Sequence, residues 1–488
     1  MPIPLLLAMV LAFGLGLPTE ARSLSNSDLI RRLVETGLGV VLVGAVGTAF
    51  GMVVALRVKR SGGAQARTRG VFVWGLRTVV GLGLTVFAWT LCWIDWPRVV
   101  DWGLGLRGTI FIEEFAVLMP YLAGQFLAWC GLYAAERALR PGIADRGMAA
   151  YLFRKSRQSF GMVLPVASIY VLGRDVLRWK MPQGFEDPTI QFGGTCLIAA
   201  LVFILSPAFV RLTWPTRRME AGPLRDRLER LSRRLRFRCS DILVWDTGGV
   251  IVNAGVTGSV PWFRYVLITD AMIELLDEHE IEAVFGHEVG HIAHRHLPYF
   301  GLFLLGSMGL LTMCGALVAR IWNIDASLAR WLPEATLGTV EQVLLLAICG
   351  LYFFVVFGFL SRRFERQADV FGARAVSCDQ HECPPHRDMN APDAPDRAVR
   401  TLCPVGIRIF ANALGNVAAL NGMSPRARSW RHGSIAKRIA FLEGLEYQPD
   451  AEKKFQLRIA RLRWALVVGL ATASAIAVFL ASGEAGAR

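Results

Sequence analysis

His287-Glu288-Val289-Gly290-His291 is the run whose residue types and spacing bear most directly on chemistry. On a helix, residues four apart share a face, so both imidazoles reach one metal ion while Glu288 sits beside them to take a proton from water. With only eight histidines in 488 residues, chance produces such an HExxH in roughly a few chains per thousand. The flanks predict the helix. Asp277, Glu278, Glu280 and Glu282 lie where the dipole favours acids, His294, Arg295 and His296 lie where it favours cations, and Pro298 closes the element. His294 and His296 are expected to be the solvated end of that helix.

Two histidines do not complete a catalytic zinc site, which needs three protein ligands and an open position. The metzincin pattern would need glycine at position 294 and histidine at position 297, where His294 and Leu297 stand. A carboxylate from a second helix is the remaining solution, and the stretch from Ser361 to Asp369, SRRFERQAD, supplies it. Glu365 and Asp369 are four apart on one face. Glu365 is expected to bind the metal and Asp369 to accept a hydrogen bond from a ligand histidine, fixing its tautomer.

The elements that position these residues are set in a membrane. The chain is 53% hydrophobic and 19% charged, against about 45 to 50% and about 25% for soluble domains. A bilayer core takes about 20 apolar residues per helix. Runs of that kind are Thr36 to Leu56, Val71 to Ile94 with Arg77 snorkelling, Phe115 to Ala135, Pro188 to Val210, Leu297 to Ala319, Gln342 to Ser361 and Trp464 to Gly483. Phe160 to Gly173 is shorter, Glu113 and Glu114 open their span as interfacial residues, and residues 3–17 read as a span or a signal peptide. The net charge of +14 collects between the runs, as positive-inside loops do, and no aromatic-interleaved basic motif points to nucleic acid. The basic loops after Leu56 and Ala135 are then cytoplasmic, as is the stretch from Arg211 to Leu297. This orientation rests on the Phe160 run crossing, since otherwise everything upstream inverts.

HEVGH, SRRFERQAD and the strand-like VIVNAGVTG at 250–258 together resemble the membrane-embedded gluzincin peptidases that include CAAX prenyl endopeptidases and HtpX-type proteases. The resemblance covers about Leu231 to Leu442. It implies a mainly α polytopic protein whose zincin-type domain has an HExxH helix and a small edge-strand sheet. That domain is interrupted by a transmembrane hairpin at 297–361. The expected order is a multi-span region at 1–212, the peptidase domain at 213–460 and a last span at 461–488. It also implies His287, His291 and Glu365 as ligands of one catalytic Zn2+, Glu288 as general base and Asp369 behind the ligands. Asn253 and Ala254 resemble the edge strand that holds an extended peptide by backbone pairing. The family's Thr-His-Pro, whose histidine stabilises the oxyanion, is matched by Arg431-His432-Gly433, followed by Arg438-Ile439 and Leu442. His432 keeps the histidine while both neighbours differ.

The expected function is a zinc endopeptidase acting on membrane-associated or unfolded proteins at the cytoplasmic face of a bacterial inner membrane. Protein or peptide substrate and lipid bilayer are its partners, and the oligomeric state stays open. A CAAX-type prenyl-peptide endopeptidase is the alternative in the same class. A transporter would need paired ionisable residues in mid-span, and few occur. A silent zinc scaffold would have no use for Glu288. The insertion between Ala375 and Val405 carries Cys378, His381, Cys383, His386 and Cys403. With Pro384, Pro385 and nearby Asp residues it reads first as a flexible cytoplasmic loop, and second as a structural zinc site.

Overall fold

A computed structural model describes residues 3–14, 24–60, 65–139, 147–161, 163–181, 188–247, 249, 251–304, 306–307, 348, 350–378, 383, 386–392, 394, 399, 401–446 and 449–485. Internal packing divides the chain into two units, Met1–Trp214 and Pro215–Arg488.

The first unit is helical. Three of its described helices are long and apolar enough to cross a bilayer: Asn26–Arg60, Trp74–Cys92 and Ile112–Leu139. They contain the predicted Thr36 and Phe115 runs and most of the Val71 run. The helices Asn26–Arg60 and Ile112–Leu139 meet through small residues, because a Cβ on Gly51 would lie 2.2 Å from the Gly131 carbonyl oxygen. Between lipid-soluble helices such close approach supplies the packing contacts that hydrophobic burial cannot. Residues 163–173 of the Phe160 run lie in Val163–Lys180, of 18 residues, and the Pro188 run lies in Pro188–Thr213, of 26. The described part of the first apolar run is a 12-residue helix, Ile3–Gly14, only about 18 Å long. Its Leu5 and Ala8 pack with Phe87 and Leu91.

The second unit carries the chemistry. Its sheet has the order β1-β2-β4-β3, with β1 Thr216–Arg218, β2 Asp241–Trp245, β3 Ala254–Thr257 and β4 Tyr265–Thr269. β2 and β4 are parallel and the outer pairs antiparallel. The inner strands DILVW and YVLIT are nearly continuous apolar runs because both faces are covered. Leu228 and Leu231 of the helix Pro223–Arg234 and Phe285 and Val289 of the HExxH helix join Val244, Val266 and Ile268 in one core. The strand expected over 250–258 is confined to β3, at the sheet edge, with Asn253 one residue before it.

Glu278–Ala293 is the HExxH helix, opened by a capping box: Asp277 accepts from the Glu280 N–H at 2.8 Å and Glu280 reaches back to the Asp277 N–H at 3.4 Å. It packs along Gly358–Ala375, the helix that carries Glu365. Two glycines set their separation: a Cβ on Gly372 would lie 2.8 Å from the Ala283 carbonyl oxygen, and one on Gly290 3.2 Å from Ala368 Cα. Of the hairpin expected at 297–361, residues 308–347 lie outside the described residues. Its two described stubs are adjacent, with the Phe303 ring 5.8 Å from those of Tyr352 and Phe357. The last helix, Pro449–Ala485, contains the Trp464 run; Phe455 and Ile459 in its first half are core residues of this unit.

Candidate active site

The capped helix and its glycine-spaced neighbour bring three donor groups together. His287 Nε2 lies 3.2 Å from His291 Nε2, and each imidazole lies 3.8 Å from a different oxygen of Glu365. Metal bonds of about 2.0–2.1 Å in a tetrahedron put ligand atoms about 3.3 Å apart, so the set fits one zinc-sized ion with modest closure. Two imidazoles and a carboxylate are a donor set that zinc accepts, with one position left open. All three residues lie where the sequence reading expected them to meet.

Each ligand is held from behind. His287 Nδ1 sits 3.0 Å from Asp369 Oδ1, whose other oxygen accepts from Arg438 Nε at 2.8 Å. Arg438 Nη2 closes a second bond to Oδ1, and its Nη1 lies 3.3 Å from Glu365 Oε2. Burial opposes charge on Asp369, but the Arg438 guanidinium and the His287 hydrogen bond keep its carboxyl below its ordinary value. Burial also works against the His287 imidazolium, yet the Asp369 hydrogen bond and charge raise its pKa on balance. Glu365 follows the same logic: burial opposes its charge, and a hydrogen bond from His432 and the Arg438 charge hold it well below the usual range.

The solvated role expected for His296 is corrected by the fold. Arg295 adopts a left-handed φ of 56°, which breaks the helix and starts a new one at His296. A continuing helix would carry residue 296 away from His291. Instead His296 is fully buried, stacked on Phe364 at 4.3 Å, with Nδ1 2.9 Å from His291 Nδ1 and Nε2 3.1 Å from Gln367 Oε1. With His291 Nε2 turned to the other ligands, His291 Nδ1–H donates to His296, and His296 Nε2–H donates to Gln367. Burial pushes His291 down to about 3 and His296 well below its ordinary value, so both rings are neutral. His294 is half-buried, and burial pushes it down to about 4. No helical spacing signalled the His296 contact; its place two residues after His294 and five after His291 was the available hint.

Glu288 stands on the open side. Its Oε2 accepts from the Val256 N–H of β3 at 3.2 Å, and burial raises its pKa to about 6. Backbone groups of an antiparallel edge alternate in direction. Asn253 is turned to β4, its carbonyl accepting from the Thr269 N–H at 3.0 Å. Ala254 shares the outward direction of Val256. The exposed Asn253 thus anchors the strand start while Ala254 offers the pairing edge. His432 is half-exposed and its Nδ1 lies 2.9 Å from Glu365 Oε1. Arg431 lies over the Phe357 ring at 6.0 Å. Arg438, quoted in the sequence only as part of a motif, is the missed residue of the set.

Residues 219–386 match Peptidase family M48. The chain is 27% identical over 357 residues to the protease HtpX homolog of Archaeoglobus fulgidus, covering 67% of this chain and 96% of that protein. It is 28% identical over 139 residues to protease HtpX of Xanthomonas euvesicatoria, covering 28% of this chain and 45% of that protein. The crystal structure of S. mikatae Ste24p overlays with a TM-score of 0.49 at 13% identity, covering 86% of this chain and 100% of that one. Over residues 219–386 the chain is thus similar to the M48 peptidases, in the stretch where the sequence resemblance was found. The chain is a multi-pass membrane protease, mainly helical with a small sheet, and its partners include a peptide or protein substrate and the bilayer.

Proposed function

We propose that the protein is a zinc-dependent endopeptidase of a bacterial inner membrane, cutting membrane-associated or unfolded proteins at the cytoplasmic surface. His287, His291 and Glu365 would hold the ion, with Asp369 behind His287. The organisation proposed is a multi-span region at 1–212, a peptidase domain at 213–460 and a last span at 461–488. The observation that carries the reading is the position of Glu288, between the convergent ligand set and the outward edge of β3.

Zinc bound there supplies a Lewis acid that polarises a carbonyl and lowers the pKa of water to about 7. The chain's own residues do the rest. Ala254 presents the edge against which an extended peptide pairs, with Asn253 anchoring the start of that strand to β4, and this fixes the scissile bond beside Glu288. Glu288, with a pKa raised by burial toward neutrality, takes the proton from the attacking water and returns it to the leaving amine. His432, half-exposed beside Glu365, donates to the carbonyl oxygen as negative charge develops. Membrane stubs that adjoin the site on both helices suit substrates held in or near the bilayer.

The test is cleavage of an unfolded polypeptide by the full chain in detergent with zinc, set against Glu288→Gln. The variant is expected to keep its catalytic metal and lose about 10²–10⁴-fold in rate. Equal rates would overturn the reading.

A further inference from the structure

The insertion after the Glu365 helix forms a second donor cluster on separate residues. Cys378 Sγ lies 3.0 Å from Cys383 Sγ, Cys383 Sγ 3.1 Å from His386 Nδ1, and Cys403 Sγ 3.8 Å from His386 Nδ1. All four donor atoms lie within 4.8 Å of one another. A tetrahedral zinc with bonds of about 2.3 Å to sulfur and about 2.0 Å to nitrogen requires sulfur–sulfur edges of about 3.8 Å and sulfur–nitrogen edges of about 3.5 Å. Closing on an ion therefore needs shifts of only a few tenths of an ångström at each donor. Cys378 and Cys403 are fully buried, while Cys383 and His386 are half-buried.

From these contacts we propose that Cys378, Cys383, His386 and Cys403 form a closed Cys3His site for a structural zinc ion, distinct from the His287–His291–Glu365 site. Three thiolates and an imidazole fill all four positions, which is the composition of structural rather than catalytic zinc. Binding releases the thiol protons to solvent. The backbone is already arranged for a thiolate at Cys403, which caps the helix Pro404–Leu420 and whose Sγ accepts from the Gly406 N–H at 3.2 Å. The other dense group, His279, Glu282 and Asp388, already has its cation: Arg227 lies 2.8 Å from Glu282 and 3.0 Å from Asp388.

The location gives the ion its purpose. Cys378 follows the C-terminus of the Glu365 helix and Cys403 opens the helix whose Phe410 ring stacks on His287 at 5.9 Å. The Cys403 N–H also donates to Ser377 Oγ at 3.2 Å. One ion would tie together the two helix ends that support the ligand histidine, across a 24-residue gap in sequence between Cys378 and Cys403.

The proposal is separable from the peptidase reading by counting metal. The intact chain, purified in detergent, is expected to hold two zinc ions by elemental analysis, and His291→Ala and Cys383→Ser one each. Cobalt-loaded His291→Ala is expected to keep a sulfur-to-cobalt charge-transfer band, and this readout decides the matter even if Cys383→Ser fails to fold. A single zinc that vanishes in His291→Ala, the absence of a thiolate band, or recovery of Cys378 and Cys383 as a disulfide in the intact mass would overturn it.

Discussion

Behind His287 stands a charged relay, and behind His291 a neutral one. His287 leans on the Asp369 carboxylate, itself clamped by two bonds from Arg438. His291 leans on His296, then Gln367, and a cation enters only at Arg463, whose Nη2 donates to Gln367 Oε1 at 2.6 Å. The two imidazoles face the same position, yet one receives electron density from an ion pair and the other receives orientation alone. A carboxylate partner raises the basicity of a ligand histidine, whereas a neutral acceptor fixes the ring and tautomer without adding charge. The asymmetry keeps two of the ligands from protonating together, since only His287 is biased toward its cationic form.

The largest test of this contrast is Asp369→Ala. It strands the Arg438 charge in a buried site and removes the acceptor behind His287, so it combines two losses. Breaking a buried pair costs about 3–5 kcal/mol, and loss of such a partner costs about 10–100-fold in metal affinity. The expected outcome is a chain with a lowered unfolding midpoint in detergent and catalytic-site zinc weakened toward the upper end of that range. Unchanged affinity, measured by competition with a chelator, would remove the charged relay from the account.

How much of this was visible beforehand follows from geometry. His287, Glu288 and His291 lie within one helix, as do Glu365 and Asp369, and a fixed helical period makes such groups legible from spacing alone. The small sheet was seen only through resemblance, and just four residues of the strand expected over 250–258 are in β3. His296 was misread because its position depends on one left-handed residue, Arg295, which an ordinary side-chain type does not announce. The cysteine insertion reads first as a loop and second as a zinc site, because its spacing is irregular and Pro384, Pro385 and Asp residues interrupt it; only the tertiary structure brings the donors of Cys378, Cys383, His386 and Cys403 within 4.8 Å of one another. Arg438 was invisible for the same reason: its two carboxylates are 69 and 73 residues away in the sequence.

The neutral relay is tested by His296→Phe, which keeps a flat ring on Phe364 while removing the acceptor for His291 Nδ1–H. An unsatisfied buried donor costs about 1–3 kcal/mol, so zinc affinity is expected to fall by about tenfold, less than in Asp369→Ala. A loss equal to that of Asp369→Ala would mean the two relays carry the same weight.

The smallest and sharpest effect is in the pH dependence of metal binding. The Asp369 hydrogen bond raises the His287 pKa against the opposing effect of burial, so in acid a metal must displace a proton there. His291 is neutral down to about 3 and imposes no such competition. Catalytic-site affinity should therefore fall by about tenfold per pH unit, the slope for one proton, once the pH drops below the His287 value. Asp369→Asn keeps a polar partner but removes the charge that favours the imidazolium, so the fall should begin at lower pH. His296→Phe should weaken affinity at every pH and leave the onset where it was. Chelator titrations of the intact chain and both variants across the acidic range separate these outcomes, because a shifted onset in His296→Phe would place the competing proton on His291 and reverse the roles assigned to the two imidazoles.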